Sequence, residues 1–280
     1  MERVGRTAAV ERFLEGRVER AMFPLSNLRA HGPWEESDHP YATAIWVDDP
    51  DAPTAVLGLT RSGMAMPVMD AAVAPGSAAI LAGRPLMGFA GEAAPVRALM
   101  DACGLRGAAA QLDSDEPHFL LDLDALTMPN GDGVLVPLTK ASDTARAWRA
   151  AYDLELHVVA AAEAEAEERA ADDVARYIAE DTHRLMVVDG EPVALTGFNA
   201  RLADIVQVGG VYVPPPLRNR GYGRRVVALH LAEARAAGVE RATLFAANDA
   251  AARAYAGLGF RRIGDYALVL FDGRPVAEAA

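Results

Sequence analysis

Arginines, glycines and prolines crowd into "VYVPPPLRNRGYGRR", residues 211–225. Pro214, Pro215 and Pro216 cannot donate to a strand ladder, so the extended run before them ends there and its exit direction is fixed. Gly221 and Gly223 permit unusual backbone angles and leave their amides unshielded. The helix that follows, "RGYGRRVVALHLAEARAAG", then opens on bare N–H donors and the positive end of its dipole, which together attract anions. Arg218, Arg220, Arg224 and Arg225 add full positive charges in a chain of net charge −12. A pyrophosphate suits this site. A glycine-containing turn with surface arginines accounts for the same residues without a ligand.

Two familiar phosphate cradles do not match. A P-loop needs Gly-Lys-Ser/Thr, and a dinucleotide fingerprint needs three spaced glycines and an acidic ribose contact. What does match is Arg/Gln-x-x-Gly-x-Gly/Ala, with Arg218, Gly221 and Gly223, followed in "NDAAARAYAGLGF" by Asn248, Tyr255, Gly259 and Phe260. On these residues the segment from about 132 to 272 resembles the GNAT family of acyl-CoA-dependent N-acetyltransferases.

The resemblance implies a mixed, strongly twisted α/β sheet in which "DIVQVGGVYV" splays from "RATLFAA" to admit a pantetheine arm. Acetyl-CoA is then the co-substrate and no metal is required. Its contacts are implied at Val211, Tyr212 and Val213 on the strand, at Arg218, Asn219, Arg220, Gly221, Tyr222, Gly223 and Arg224 in the turn, and at Asn248, Ala251 and Tyr255 on the later helix. Gly209 and Gly210 suit a bulge or a close ligand approach.

The chemistry follows from the bonds involved. An amine must lose a proton, a carbonyl oxygen gains charge and a thiolate leaves. Strand amides around Val211 and Val213 can hold the carbonyl. Tyr255 can protonate the thiolate, an unperturbed phenol having a pKa of about 10; as a bland alternative, its ring packs on the sheet. No base stands out among Gln207, Asp204, Glu155, His183 and Asn199. The spacing of His230 from Val226 and Val227 puts it beside a buried face.

The elements that must position these groups form two series. The first has an amphipathic helix in "MERVGRTAAVERFLEGRVER", strands in "YATAIWVDD", "TAVLGLTRSG", "MAMPVMDAAV" and "PLMGFAG", a helix in "EAAPVRALMDACGL" and a strand in "PHFLLDLDAL". The Asn130-Gly131 turn signal sets a division into residues 1–130 and 131–280. The second series runs from "VLVPLT" through two helices and the pair of strands in "HRLMVVDGEPVALTGFNA" to the terminal strand "RRIGDYALVLF". Val174, Tyr177 and Ile178 turn inward from the charged run "AEAEAEERAADDVARYIAED".

Laying Gly104-Leu105 on Gly259-Phe260 places Ala93 on Asn248 and Met100 on Tyr255, and the upstream segment has no arginine until Arg84. The first series therefore reads as a degenerate GNAT-like copy before a complete catalytic one, a tandem similar to the glycine N-acyltransferase-like branch of the family.

Composition bounds the partners. An apolar content of 51% supports a folded core, and the negative charge argues against nucleic acid. One cysteine, Cys103, gives no internal disulfide and suits a reducing cytoplasm. No apolar run spans a membrane. The leading expectation is acetyl transfer to a primary amine of a small molecule, amino acid or peptide. A larger acyl donor and a non-catalytic acyl-CoA sensor are the alternatives.

Overall fold

The computed structural model describes residues 1–156 and 163–278. Two series of elements follow one another in the same order. The first is β1 (Glu2–Val4), α1 (Ala8–Glu15), α2 (Val18–His31), β2 (Thr43–Val47), β3 (Val56–Thr60), β4 (Met64–Val68), α3 (Ala78–Leu81), β5 (Gly88–Glu92), α4 (Ala93–Ala102) and β6 (Ala110–Asp122). The second is β7 (Val134–Pro137), α5 (Ser142–Leu156), α6 (Glu163–Ala179), β8 (His183–Val188), β9 (Glu191–Arg201), β10 (Ile205–Tyr212), α7 (Tyr222–Ala236), β11 (Arg241–Phe245), α8 (Asp249–Ala256) and β12 (Arg261–Phe271). Even the single 3₁₀ turns before α3 and α7 correspond. This is a tandem of two mixed α/β units.

The compact units are Met1–Glu116 with Gly264–Ala280, and Pro117–Ile263. They differ from a cut at residue 130 because the final strands are exchanged. β12 pairs antiparallel with β5, from Tyr266↔Glu92 to Leu270↔Gly88, and the end of β6 pairs antiparallel with β11, from Asp122↔Arg241 to His118↔Phe245. The Asn130-Gly131 pair joins no hairpin, since β7 pairs with β8 rather than with β6. Asp189 and Gly190, at φ 51° and 87°, do form the tight turn between β8 and β9, as type I′ geometry requires.

One expectation for the first unit is corrected. The opening residues are not a single amphipathic helix but a short strand and two helices. Thr7 caps α1 by accepting the Val10 N–H, and Gly16 ends it before α2 begins.

In the first unit β4 and β5 run parallel only at Met64↔Gly88 and Ala65↔Phe89. Beyond that rung Pro67 closes the gap: a Cβ on Gly91 would lie 3.1 Å from the Pro67 carbonyl oxygen. The helix after β4 has four residues and follows no positive-φ glycine. This copy thus has neither an open slot nor a long helix start at its mouth. No helix among the described residues is long and apolar enough to cross a membrane.

Candidate active site

β10 and β11 are parallel neighbours from Ile205↔Arg241 to Val208↔Leu244. β10 then continues to Tyr212 while β11 stops at Phe245, so Gly209–Tyr212 are held only by β9, through register shifts. The register with β9 shifts twice, between Gln207 and Val208 and again between Gly209 and Tyr212, where Gly210 adopts φ +60°, open to glycine at little cost. Residues 209–211 are half-buried, whereas 205–208 are buried. The sheet therefore opens at the C-terminal ends of two parallel strands.

The prolines do as the sequence indicates: β10 ends before Val213, and Pro215–Leu217 form a single 3₁₀ turn. Arg218 then braces the turn. Its Nε donates to the Val213 carbonyl at 2.9 Å, its far nitrogen meets Glu155 Oε2 and its guanidinium lies 5.9 Å over the Tyr212 ring. Asn219 and Gly221, at φ 63° and 81°, flank Arg220 in left-handed geometry.

Gly221 is the N-cap of α7 and no side chain caps that helix. The first helical bond is Arg225 N–H to the Gly221 carbonyl, which leaves the amides of Tyr222, Gly223 and Arg224 as first-turn donors. A Cβ on Gly221 would meet nothing within 4 Å. Arg220 and Arg224 are exposed beside this start. Arg225 turns away and donates to the Pro129 carbonyl.

Val211, Val213, Tyr222, Ala251 and Tyr255 pack against one core cluster beneath α7 and α8. The fold thus brings the strand, turn and helix positions together. Tyr212 points to the opposite face, against Trp148 at 6.1 Å. Tyr255 is half-buried, with its ring 6.1 Å from Phe260 in edge contact.

Asn248 is the N-cap of α8, its Oδ1 accepting the Ala251 N–H at 2.9 Å. That bond occupies the Ala251 amide with the Asn248 carbonyl oxygen, and Asn248 itself is exposed. Asn248→Ala should lower stability by about 1 kcal/mol through loss of the cap, read as a shift in the denaturation midpoint.

The base candidates separate. Asp204 is paired with Arg241, and Glu155 with Arg218. His230 is buried and stacked on Phe198 at 3.8 Å; burial lowers its pKa to about 3, so it stays a neutral core residue. His183, Asn199 and Gln207 remain.

Sequence reading did not single out His118 and Thr243. They are buried on neighbouring strands, with His118 Nε2 2.6 Å from Thr243 Oγ1. The alternation of His118 with Phe119 and Leu121, both core residues, was the available signal. Gly197 is equally constrained. A Cβ there would fall 2.1 Å from the His183 ring, so Gly197→Ala should cost about 1–3 kcal/mol of stability in chemical denaturation.

Residues 143–260 match the model of the acetyltransferase (GNAT) family. Among solved structures, the chain resembles a GCN5-related N-acetyltransferase from Kribbella flavida with a TM-score of 0.54 and 17% identity, over 95% of this chain and 97% of that one. One from Sphaerobacter thermophilus gives 0.55 and 14%, over 99% and 97%. A tandem GNAT protein from the clavulanic acid biosynthesis pathway gives 0.52 and 16%, over 89% and 86%. A search of curated protein sequences returned no match.

Proposed function

Since residues 143–260 match the model of the acetyltransferase (GNAT) family, we propose that the protein transfers an acetyl group from acetyl-CoA to the primary amine of a small molecule, amino acid or peptide. The observation that carries this reading is the parting of β10 from β11 beyond Val208↔Leu244, with an uncapped helix start at its mouth.

The residues present fit the donor. The pyrophosphate is received by the first-turn amides of α7, where the bare Gly221 leaves room, with Arg220 and Arg224 adding charge. Arg218 shapes that turn from its contacts with Val213 and Glu155. The pantetheine amides lie along the β10 edge at Val211–Val213, and Asn248 offers its amide nitrogen from α8. The tandem arrangement also suits the glycine N-acyltransferase-like branch.

In the reaction the amine nitrogen attacks the thioester carbon, forming the N–C bond as the C–S bond breaks. Amides of the β10 edge stabilise the charge on the carbonyl oxygen. Tyr255 gives its proton to the leaving thiolate and recovers one, through water, from the nitrogen that has become an amide. The products are the N-acetylated amine and the free thiol.

The single Cys103 is buried, and burial pushes its thiol up to about 11, so it stays an inert thiol. That suits a reducing cytoplasm, and the net charge of −12 suits a small or cationic acceptor over nucleic acid.

Thiol release from acetyl-, propionyl- and benzoyl-CoA across a panel of primary amines tests the reading. The expected result is amine-dependent release, fastest with acetyl-CoA. Preference for a longer chain would make the donor a larger acyl-CoA, and tight binding without turnover would make the protein a sensor.

A further inference from the structure

The face of the second sheet opposite α7 holds polar groups that the acyl-transfer steps leave unused. Val206, Val208 and Phe198 belong to the core beneath α7, so their neighbours Gln207, Gly209, Gly197 and Asn199 point the other way. Tyr177, Leu185, Leu195 and Tyr212 form a separate cluster on that side.

His183 lies flat on β9 there. A Cβ on Gly197 would fall 2.1 Å from its Nε2, and the Tyr177 ring covers its other face at 3.5 Å and 13°. The imidazole is held by its two faces, so its edges are aimed. Nδ1 meets the Thr182 hydroxyl at 2.9 Å. Nε2 is directed at the β10 bulge, where a Cβ on Gly210 would lie 3.4 Å away.

His183 is 2% exposed, yet its Nε2 has no hydrogen-bond partner among the described residues. Gln207 repeats the pattern. Its Nε2 donates to the Val208 carbonyl at 2.7 Å, which fixes the amide orientation and leaves a buried Oε1 unpartnered. Gln207 pairs in register with Thr243, one rung before the strands part. Unpaired buried polar atoms are costly to keep, and these two lie on the same face, one on β10 and one aimed at its bulge.

We propose that this face receives the acceptor, with His183 Nε2 accepting an N–H of the neutral primary amine and so directing its lone pair at the thioester carbonyl beside Val211. The proposal rests on the acyltransferase reading. In the tautomer whose Nδ1–H is donated to the Thr182 hydroxyl, Nε2 presents a lone pair. Burial holds the imidazole well below its ordinary range, and His230, Arg176, Arg149 and Arg184 add to that effect. His183 thus orients the amine without trapping its proton, and Gln207 Oε1 offers a second acceptor at the foot of the slot.

Two variants separate this role from packing. His183→Phe keeps a flat ring between Gly197 and Tyr177 but removes the acceptor, whereas His183→Gln keeps an acceptor and gives up the ring. Acetyl-CoA affinity by calorimetry should be unchanged in both. With the best of phenethylamine, putrescine and glycinamide, His183→Phe should lower kcat/KM about thirtyfold or more, and His183→Gln should stay within about fivefold of wild type. Wild-type kcat/KM in His183→Phe, or a larger loss in His183→Gln than in His183→Phe, would overturn the assignment. Should His183→Phe not fold, His183→Gln decides alone, a thirtyfold loss with native-like melting counting against it. If the wild type binds acetyl-CoA but releases thiol with none of the amines, the transferase reading fails first and takes this proposal with it.

Discussion

Tyr255→Phe should lower turnover by on the order of a hundredfold while leaving acetyl-CoA affinity nearly unchanged. The substitution removes one oxygen and keeps the ring, which packs edge-on against Phe260 and against the cluster holding Val211 and Val213. A purely structural tyrosine would lose about 1 kcal/mol of stability with its hydroxyl, and turnover would barely change. As general acid, the hydroxyl acts only when the thiolate leaves, so its loss falls on kcat rather than on binding. Single-turnover rates at saturating acetyl-CoA, with the amine of highest activity, give the comparison. A wild-type rate would remove Tyr255 from the mechanism and leave thiolate protonation to water.

Much of this site was legible because it depends on local rules. Prolines end a strand, a glycine in left-handed geometry opens a helix, and an asparagine caps one; Pro214–Pro216, Gly221 and Asn248 each show their rule within a few residues of sequence. The repeat was legible in the same way, through the positive-φ glycines Gly104 and Gly259 that follow α4 and α8.

What depended on strand partners was not legible. The exchange of β6 and β12 leaves no mark in either strand, because an alternating strand suits any sheet that buries its apolar face. The partnership of His183 with Gly197 and Gly210 joins residues on three strands, and only their register brings them together. Arg218 reads as a phosphate ligand on motif grounds, whereas the contacts it makes in the structure brace the turn. The sequence could not show that contact because Glu155 lies 63 residues away.

Replacement of Gly221 by valine should abolish measurable acetyl-CoA binding, and three substitutions separate the causes. Gly221 stands at φ +81°, so a β-branched residue strains the backbone by roughly 1–3 kcal/mol before any ligand arrives. A lost affinity in Gly221→Val therefore mixes two effects: α7 relaxing out of position and a side chain standing where the pyrophosphate belongs. Gly221→Asn divides them, because asparagine tolerates left-handed geometry and a Cβ there meets nothing within 4 Å in the free protein. Its melting temperature should stay close to wild type, yet calorimetry should show acetyl-CoA affinity reduced about tenfold or more, since the added side chain occupies the space before the first-turn amides. Gly223→Ala is the matched control: its Cβ meets only Val213 Cγ2, at an ordinary 3.5 Å, and the residue lies within α7, so affinity should fall less than in Gly221→Asn. Wild type should bind one acetyl-CoA per chain, because the slot of the first unit is closed by Pro67, and no second site should remain in Gly221→Val. Equal affinity in Gly221→Asn and wild type would place the pyrophosphate elsewhere and remove the turn from the site.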